Sequence, residues 1–163
     1  AILNRRRPTS IVLENPTMGA LTLNDQSPLL EKALQTCLDD GLSPQDWLNI
    51  LNARVFFWPS ERQLKRLLGA RMNKDRARDV LVFDTLSIAK AYAGRIEICP
   101  INSGATIRKP ARRGLQTFTP LEKLSYQDWQ RQRGRRDTIV EVTLLELLPD
   151  PERHLVRIDQ HLP

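Results

Sequence analysis

Long apolar runs are missing from this chain of 163 residues. None approaches the roughly 18 residues that cross a bilayer, so a membrane-spanning helix and a membrane partner are not expected. No signal-peptide pattern opens the chain, which sets the expectation of a cytoplasmic protein. Cysteine is scarce: Cys37 and Cys99 stand apart in apolar surroundings without metal-type spacing. Buried free thiols in a reducing compartment are the expected case, a disulfide the lesser one. His154 and His161 have no Cys or carboxylate cluster around them, so no metal site is expected. Phosphate-binding loops, Gly-rich dinucleotide fingerprints and internal repeats are absent too, which removes the commonest nucleotide-binding architectures. An initiating Met is also lacking: the chain opens on Ala1-Ile2-Leu3, as though it began inside its domain.

What is present is an ordinary globular balance, 40% apolar and 27% charged, which argues against disorder. The length suits one domain over residues 1–163 with a proper core. Lys and Arg number 25 against 19 Asp and Glu, a formal charge of +6. Most of the cations are Arg, clustered at Arg5–Arg7, Arg62–Arg78, Arg108–Arg113 and Arg131–Arg136. A guanidinium fork matches two phosphate oxygens at once, so a polyanion, nucleic acid or dinucleotide, is a natural partner. Solvated surface is the plainer account of the same runs.

Along the chain, helices and strands alternate. Ile11 to Leu13 reads as a short extended piece followed by a loop through Ser27. Ser27-Pro28 and Ser43-Pro44 each carry a capping hydroxyl before a Pro suited to the first helical position. The two helices they open present Leu30, Ala33, Leu34, Cys37 and Leu38, then Trp47, Leu48 and Leu51, with Gly41 between. Val55-Phe56-Phe57-Trp58 is an aromatic strand ended by Pro59. Ser60 and Gln63 then cap a helix with Leu64, Leu67 and Leu68 inward and basic residues outward. Phe56 reads as core, whereas Trp58, beside a turn, suits a ligand-stacking surface. Val80 to Phe83 is a strand, Leu86 to Tyr92 a helix and Arg95 to Cys99 another strand. The last runs into Pro100-Ile101-Asn102-Ser103-Gly104, a turn whose small and amide-bearing residues allow close approach of a ligand. Ser125 caps a helix holding Tyr126 and Trp129, and His154 to Ile158 reads as the final strand. The class is α+β.

The stretch Arg135 to Leu145 organises the rest. It is β-branched and aliphatic, so alternation sets Val140, Val142 and Leu144 on one face and Ile139, Glu141 and Thr143 on the other. Glu141 is therefore a lone carboxylate in a hydrophobic strand. It points either into a cleft or onto a solvated sheet face.

The ordered set resembles the DarT-type ADP-ribosyltransferases, and more closely an uncharacterised bacterial domain family related to them. It comprises the aromatic strand and helix Val55–Leu68, then a strand, helix and strand ending in the Asn-Ser-Gly-Ala turn at 80–106. Phe118, a Trp-bearing helix, the basic run 131–136 and the Glu141 strand follow. The resemblance covers roughly residues 54–158 and implies an ADP-ribosyltransferase-like split mixed sheet with flanking helices. It implies NAD as substrate and Glu141 as the catalytic carboxylate. By position, Phe57 or Trp58 would stack on nicotinamide, and Arg6 or Arg7 would hold the pyrophosphate. Asn102 and Ser103 would shape the substrate-facing loop. The implied acceptor is DNA, RNA or another intracellular target, and an antidote protein is an implied partner of such a toxin-like enzyme. The family's opening strand with Tyr-His is not found in this chain, so the first strand or strands are expected to be lacking. DarT proteins also favour a small residue before the Glu, where Val140 stands here. The alternative readings are a non-catalytic nucleic-acid-binding module on the same fold, or another reaction such as removal of a 2′-phosphate from RNA.

Overall fold

The computed structural model describes residues 5–17, 19–70, 73–107, 109–123, 125–133 and 139–162. The fold is α+β, as the alternation of elements suggested. Length suggested one domain; the chain divides into two compact units, Ala1–Ala53 with Asn102–Thr117, and Arg54–Ile101 with Phe118–Pro163.

The first unit opens with an antiparallel hairpin, β1 (Ile11–Asn15) and β2 (Gly19–Leu23), where a strand and a loop were expected. Two helices follow, α1 (Glu31–Cys37) and α2 (Pro44–Asn52). Their apolar faces bury Leu34, Cys37, Trp47, Leu48 and Leu51. Ser27-Pro28 does not open α1. Leu30 stays extended before it (φ −85°, ψ 119°) without a side-chain cap. The reason is a distant side chain: the buried Thr106 hydroxyl accepts from Leu30 N at 2.7 Å and donates to Leu30 O at 3.1 Å. Leu30 N is thereby committed outside the helical ladder, while Leu30 O also accepts from Leu34 N at 2.8 Å as the ladder begins.

Ser43-Pro44 does start α2. The Ser43 hydroxyl accepts from Asp46 N, and the Asp46 carboxylate accepts from Ser43 N at 2.9 Å, a reciprocal capping box. Donation from the Ser43 hydroxyl and backbone holds the Asp46 carboxyl below its ordinary range. A depressed folded value means stabilisation that is complete above the ordinary carboxylate range and lost as pH falls through the depressed one. Ser43→Ala is therefore expected to lower stability at neutral pH. Its deficit should narrow below about pH 4, read from urea unfolding at a series of pH values. An equal deficit at every pH would remove the capping account. Gly41 closes the preceding turn at φ +69°, a conformation that suits a residue without Cβ.

The second unit contains β3 (Arg54–Phe57), α3 (Glu61–Leu68), β4 (Arg78–Phe83), α4 (Thr85–Ala91) and β5 (Ile96–Cys99). After the excursion through residues 102–117 come β6 (Thr119–Pro120), α5 (Tyr126–Arg133), β7 (Glu141–Leu145) and β8 (Leu155–His161). Four strands form one sheet in the order β3-β7-β5-β6, and β4 pairs with β8 in a separate ribbon. A mixed sheet was expected; among the described residues these strand pairs are all antiparallel. The organising strand begins at Glu141, later than the sequence suggested, and residues 134–138 of that stretch lie outside the described residues. Val140 still donates its N–H to Cys99 O at 2.8 Å. One face of the sheet packs as predicted: Leu144 is fully buried with Ile88 and Ile96, and Val55, Phe57, Phe83 and Val142 pack against them. No helix among the described residues is long and apolar enough to cross a membrane.

Candidate active site

Directly paired residues of an antiparallel ladder project to the same side. The pairs Phe57↔Val142, Val55↔Leu144 and Ile96↔Leu144 define the apolar face. On the opposite face the pairs Arg54↔Leu145, Phe56↔Thr143, Glu97↔Thr143 and Cys99↔Glu141 assemble a polar row across three strands. This row is buried, with Glu97 7%, Thr143 0%, Cys99 0% and Glu141 6% exposed. Glu141 lies neither on a solvated face nor in the apolar core.

The middle of the row is one bonded network. Arg54 grips Glu97 with two donors, Nε to Oε2 at 2.7 Å and an Nη to Oε1 at 3.2 Å. Thr143 Oγ1 donates to Glu97 Oε2 at 3.3 Å. The guanidinium lies 4.3 Å from the Phe118 ring centroid, and that ring meets Phe56 edge-on at 6.3 Å. An ion pair this dry is tolerated because the fork satisfies both carboxylate oxygens while the aromatic face accepts the cation. Glu97 and Glu141 are diagonal neighbours across β5 and β7, a relation that sets their Cβ atoms roughly 7–8 Å apart. Two carboxylates thus share one sheet face. One is neutralised by Arg54; the other stands at the strand's first residue.

The site residues named from sequence fall in different places. The β3–β7 register ends at Phe57↔Val142. Trp58, one residue past the end of that ladder, is 41% exposed. Phe57 belongs to the other face, where it meets Phe83 edge-on at 5.7 Å and packs against the core. Arg6 and Arg7 lie in the other unit, and both guanidiniums are held by main-chain carbonyls. Arg6 Nε donates to Leu29 O at 2.6 Å, and Arg7 Nε to Asn24 O at 3.1 Å. Asn102 and Ser103 are in that unit too. Asn102 is exposed, whereas Ser103 is fully buried, its carbonyl accepting from Trp47 Nε1 at 3.3 Å and Arg113 at 2.8 Å. Among the basic clusters, Arg62, Lys65 and Arg66 of α3 are exposed; residues 134–136 lie outside the described residues.

Sequence reasoning passed over Glu97 and Arg54. The signal for Glu97 was available, since Ile96-Glu97-Ile98-Cys99 sets a carboxylate within an apolar strand just as the Glu141 stretch does.

The model of a family of unknown function (DUF7002) matches residues 1–155, and the chain belongs to that family. No curated protein and no solved structure matches it.

Proposed function

We propose that this member of a family of unknown function is an NAD-dependent ADP-ribosyltransferase with Glu141 as its catalytic carboxylate. The observation that carries the reading is the position of Glu141. It is a carboxylate 6% exposed at the start of the central strand, on the polar face of the sheet. Keeping a carboxylate there has a desolvation cost that a hydrophobic residue would avoid. A strand flanked on both sides also fixes its side chain far better than a loop would. The order β3-α3-β4-α4-β5, then α5 and β7, supports an ADP-ribosyltransferase-like split sheet, because it is the order that the resemblance implies.

The chemistry follows from the carboxylate. Breaking the bond between ribose and nicotinamide develops positive charge on the sugar, as in glycoside hydrolysis. Glu141 would accept a hydrogen bond from the ribose 2′-OH, stabilise that charge and take the proton of the incoming nucleophile. Trp58, exposed just past β3, offers a face for the nicotinamide ring. The exposed Arg62, Lys65 and Arg66 of α3 suit a nucleic-acid acceptor.

The same row of cations supports the second reading, a non-catalytic nucleic-acid-binding module. Nicotinamide release from NAD separates the two. The enzyme reading expects release by the wild type with and without added DNA or RNA, and its loss in Glu141→Ala with folding retained. No release, together with salt-sensitive oligonucleotide binding that ignores Glu141→Ala, would leave the binding module.

A further inference from the structure

A second cluster of chemistry-bearing side chains lies at the junction of α4 with the turn preceding β8. Ser87 of α4 is half-buried, and its Oγ lies 2.7 Å from Nδ1 of His154. The His154 ring is 6% exposed. Its other nitrogen, Nε2, lies 3.7 Å from Asp150 Oδ1 and makes no hydrogen bond. Asp150 accepts from the Tyr92 hydroxyl and, at 3.2 Å, from Arg153. Those donors, Tyr92 first, hold its carboxyl below the ordinary range, so it is an anion at neutral pH. The Tyr92 ring meets the imidazole edge-on at 5.7 Å. The His154 main chain is fixed as well, accepting from Asp84 N at 2.9 Å.

The arrangement selects a tautomer. A bare Nε2 facing the Asp150 anion would be repelled, so the ring carries its proton on Nε2 and accepts the Ser87 hydroxyl on Nδ1. A histidine serving only as an anchor would close both nitrogens with hydrogen bonds. Here one buried N–H is left facing a carboxylate just beyond bonding reach, a state that burial penalises. That unmet interaction strengthens once the ring becomes an imidazolium, because a full positive charge then faces the anion. The logic is that of a Ser-His-Asp nucleophilic centre with the two ring nitrogens exchanging roles.

We propose that Ser87, His154 and Asp150 form a second site, in which Ser87 takes the acyl group of a carboxylic ester. Ser87 Oγ bonds to the ester carbon while its proton passes to His154 Nδ1. The ester C–O bond then breaks, and the departing alkoxide receives that proton. Water attacks the acyl-serine in the second half, gives a proton to Nδ1 and releases the acid, and the proton returns to Ser87. Asp150 is a positioning residue that acts through the imidazolium.

Two probes test this on the full chain: 4-nitrophenyl acetate, and an alkyl fluorophosphonate whose fluoride is displaced by Oγ. One equivalent of phosphonate on Ser87, located by peptide mass spectrometry, is the expected result. Nitrophenolate release should fall about 100-fold in Ser87→Ala and in His154→Gln. Asp150→Asn should lower kcat about tenfold with KM unchanged, a split that mere loosening of the fold would not give. Should His154→Gln fail to fold, Ser87→Ala decides alone, since removing a half-buried hydroxyl spares the packing. Ser87 unlabelled by excess probe, or Ser87→Ala hydrolysing at the wild-type rate, overturns the proposal.

Discussion

Glu141→Gln is expected to cut nicotinamide release by about a thousandfold while the protein still folds. The negative charge is what the substitution removes. An amide keeps the shape and still reaches a hydroxyl, but it neither balances an oxocarbenium nor takes a proton. Losses of ~10²–10⁴ are usual when a general base is removed, and ~10²–10³ when one electrostatic stabiliser is. Glu141→Asp keeps the charge but retracts it by one methylene, so activity should again fall steeply because geometry is lost. Chromatographic assay of nicotinamide and calorimetry of the three proteins check both halves. If Glu141→Gln released nicotinamide normally, catalysis would not run through this carboxylate. A midpoint lowered by many degrees would instead make Glu141 part of the scaffold.

How much of this was legible beforehand depends on how local the cause is. The caps of α2 and α3 were readable because Ser43 and Ser60 act within three residues of themselves. The apolar face of β7 was readable because alternation alone assigns Val142 and Leu144 to one side. The start of α1 was not, since the group that holds Leu30 extended belongs to Thr106, 76 residues away. Of the β1–β2 hairpin only the first strand was legible, for a different reason. Its paired Leu13 and Leu21 share one face, and Val12 lies on the other, yet all three are exposed. No contrast between inside and outside was therefore written into the strands. Arg6 and Arg7 show the limit for charge. A guanidinium that clamps main-chain carbonyls and one that awaits a pyrophosphate have the same sequence signature. The partner of Glu97 was equally hidden, because Arg54 stands 43 residues earlier. The division into two units was out of reach as well, because residues 102–117 return to the first unit in the middle of the second.

Arg54→Met is expected to destabilise the fold by about 3–5 kcal/mol, the largest single effect on stability foreseen here. The arginine side chain is 11% exposed and its partner Glu97 9%. Removing the cation would leave Glu97 as a buried anion with only the Thr143 hydroxyl beside it in this network. Most of the loss is the penalty of the stranded charge, not the worth of the pair, and that distinction is measurable. Arg54→Met with Glu97→Gln removes both charges, keeps an acceptor for Thr143 and leaves an apolar side chain on Phe118. The double variant should recover to within about 1 kcal/mol of wild type, roughly 2–4 kcal/mol more stable than Arg54→Met in urea unfolding. If it stays as unstable as the single variant, the loss comes from packing of the guanidinium on the Phe118 ring. The pair also bears on the chemistry, because Glu97 neighbours Glu141 diagonally across the sheet. A bare Glu97 anion would oppose the charged form that Glu141 needs. Nicotinamide release should accordingly fall in Arg54→Met and return in the double variant. Stability restored without activity would instead assign Arg54 a direct contact with the dinucleotide, and the polar row would then bind substrate as well as hold the sheet together.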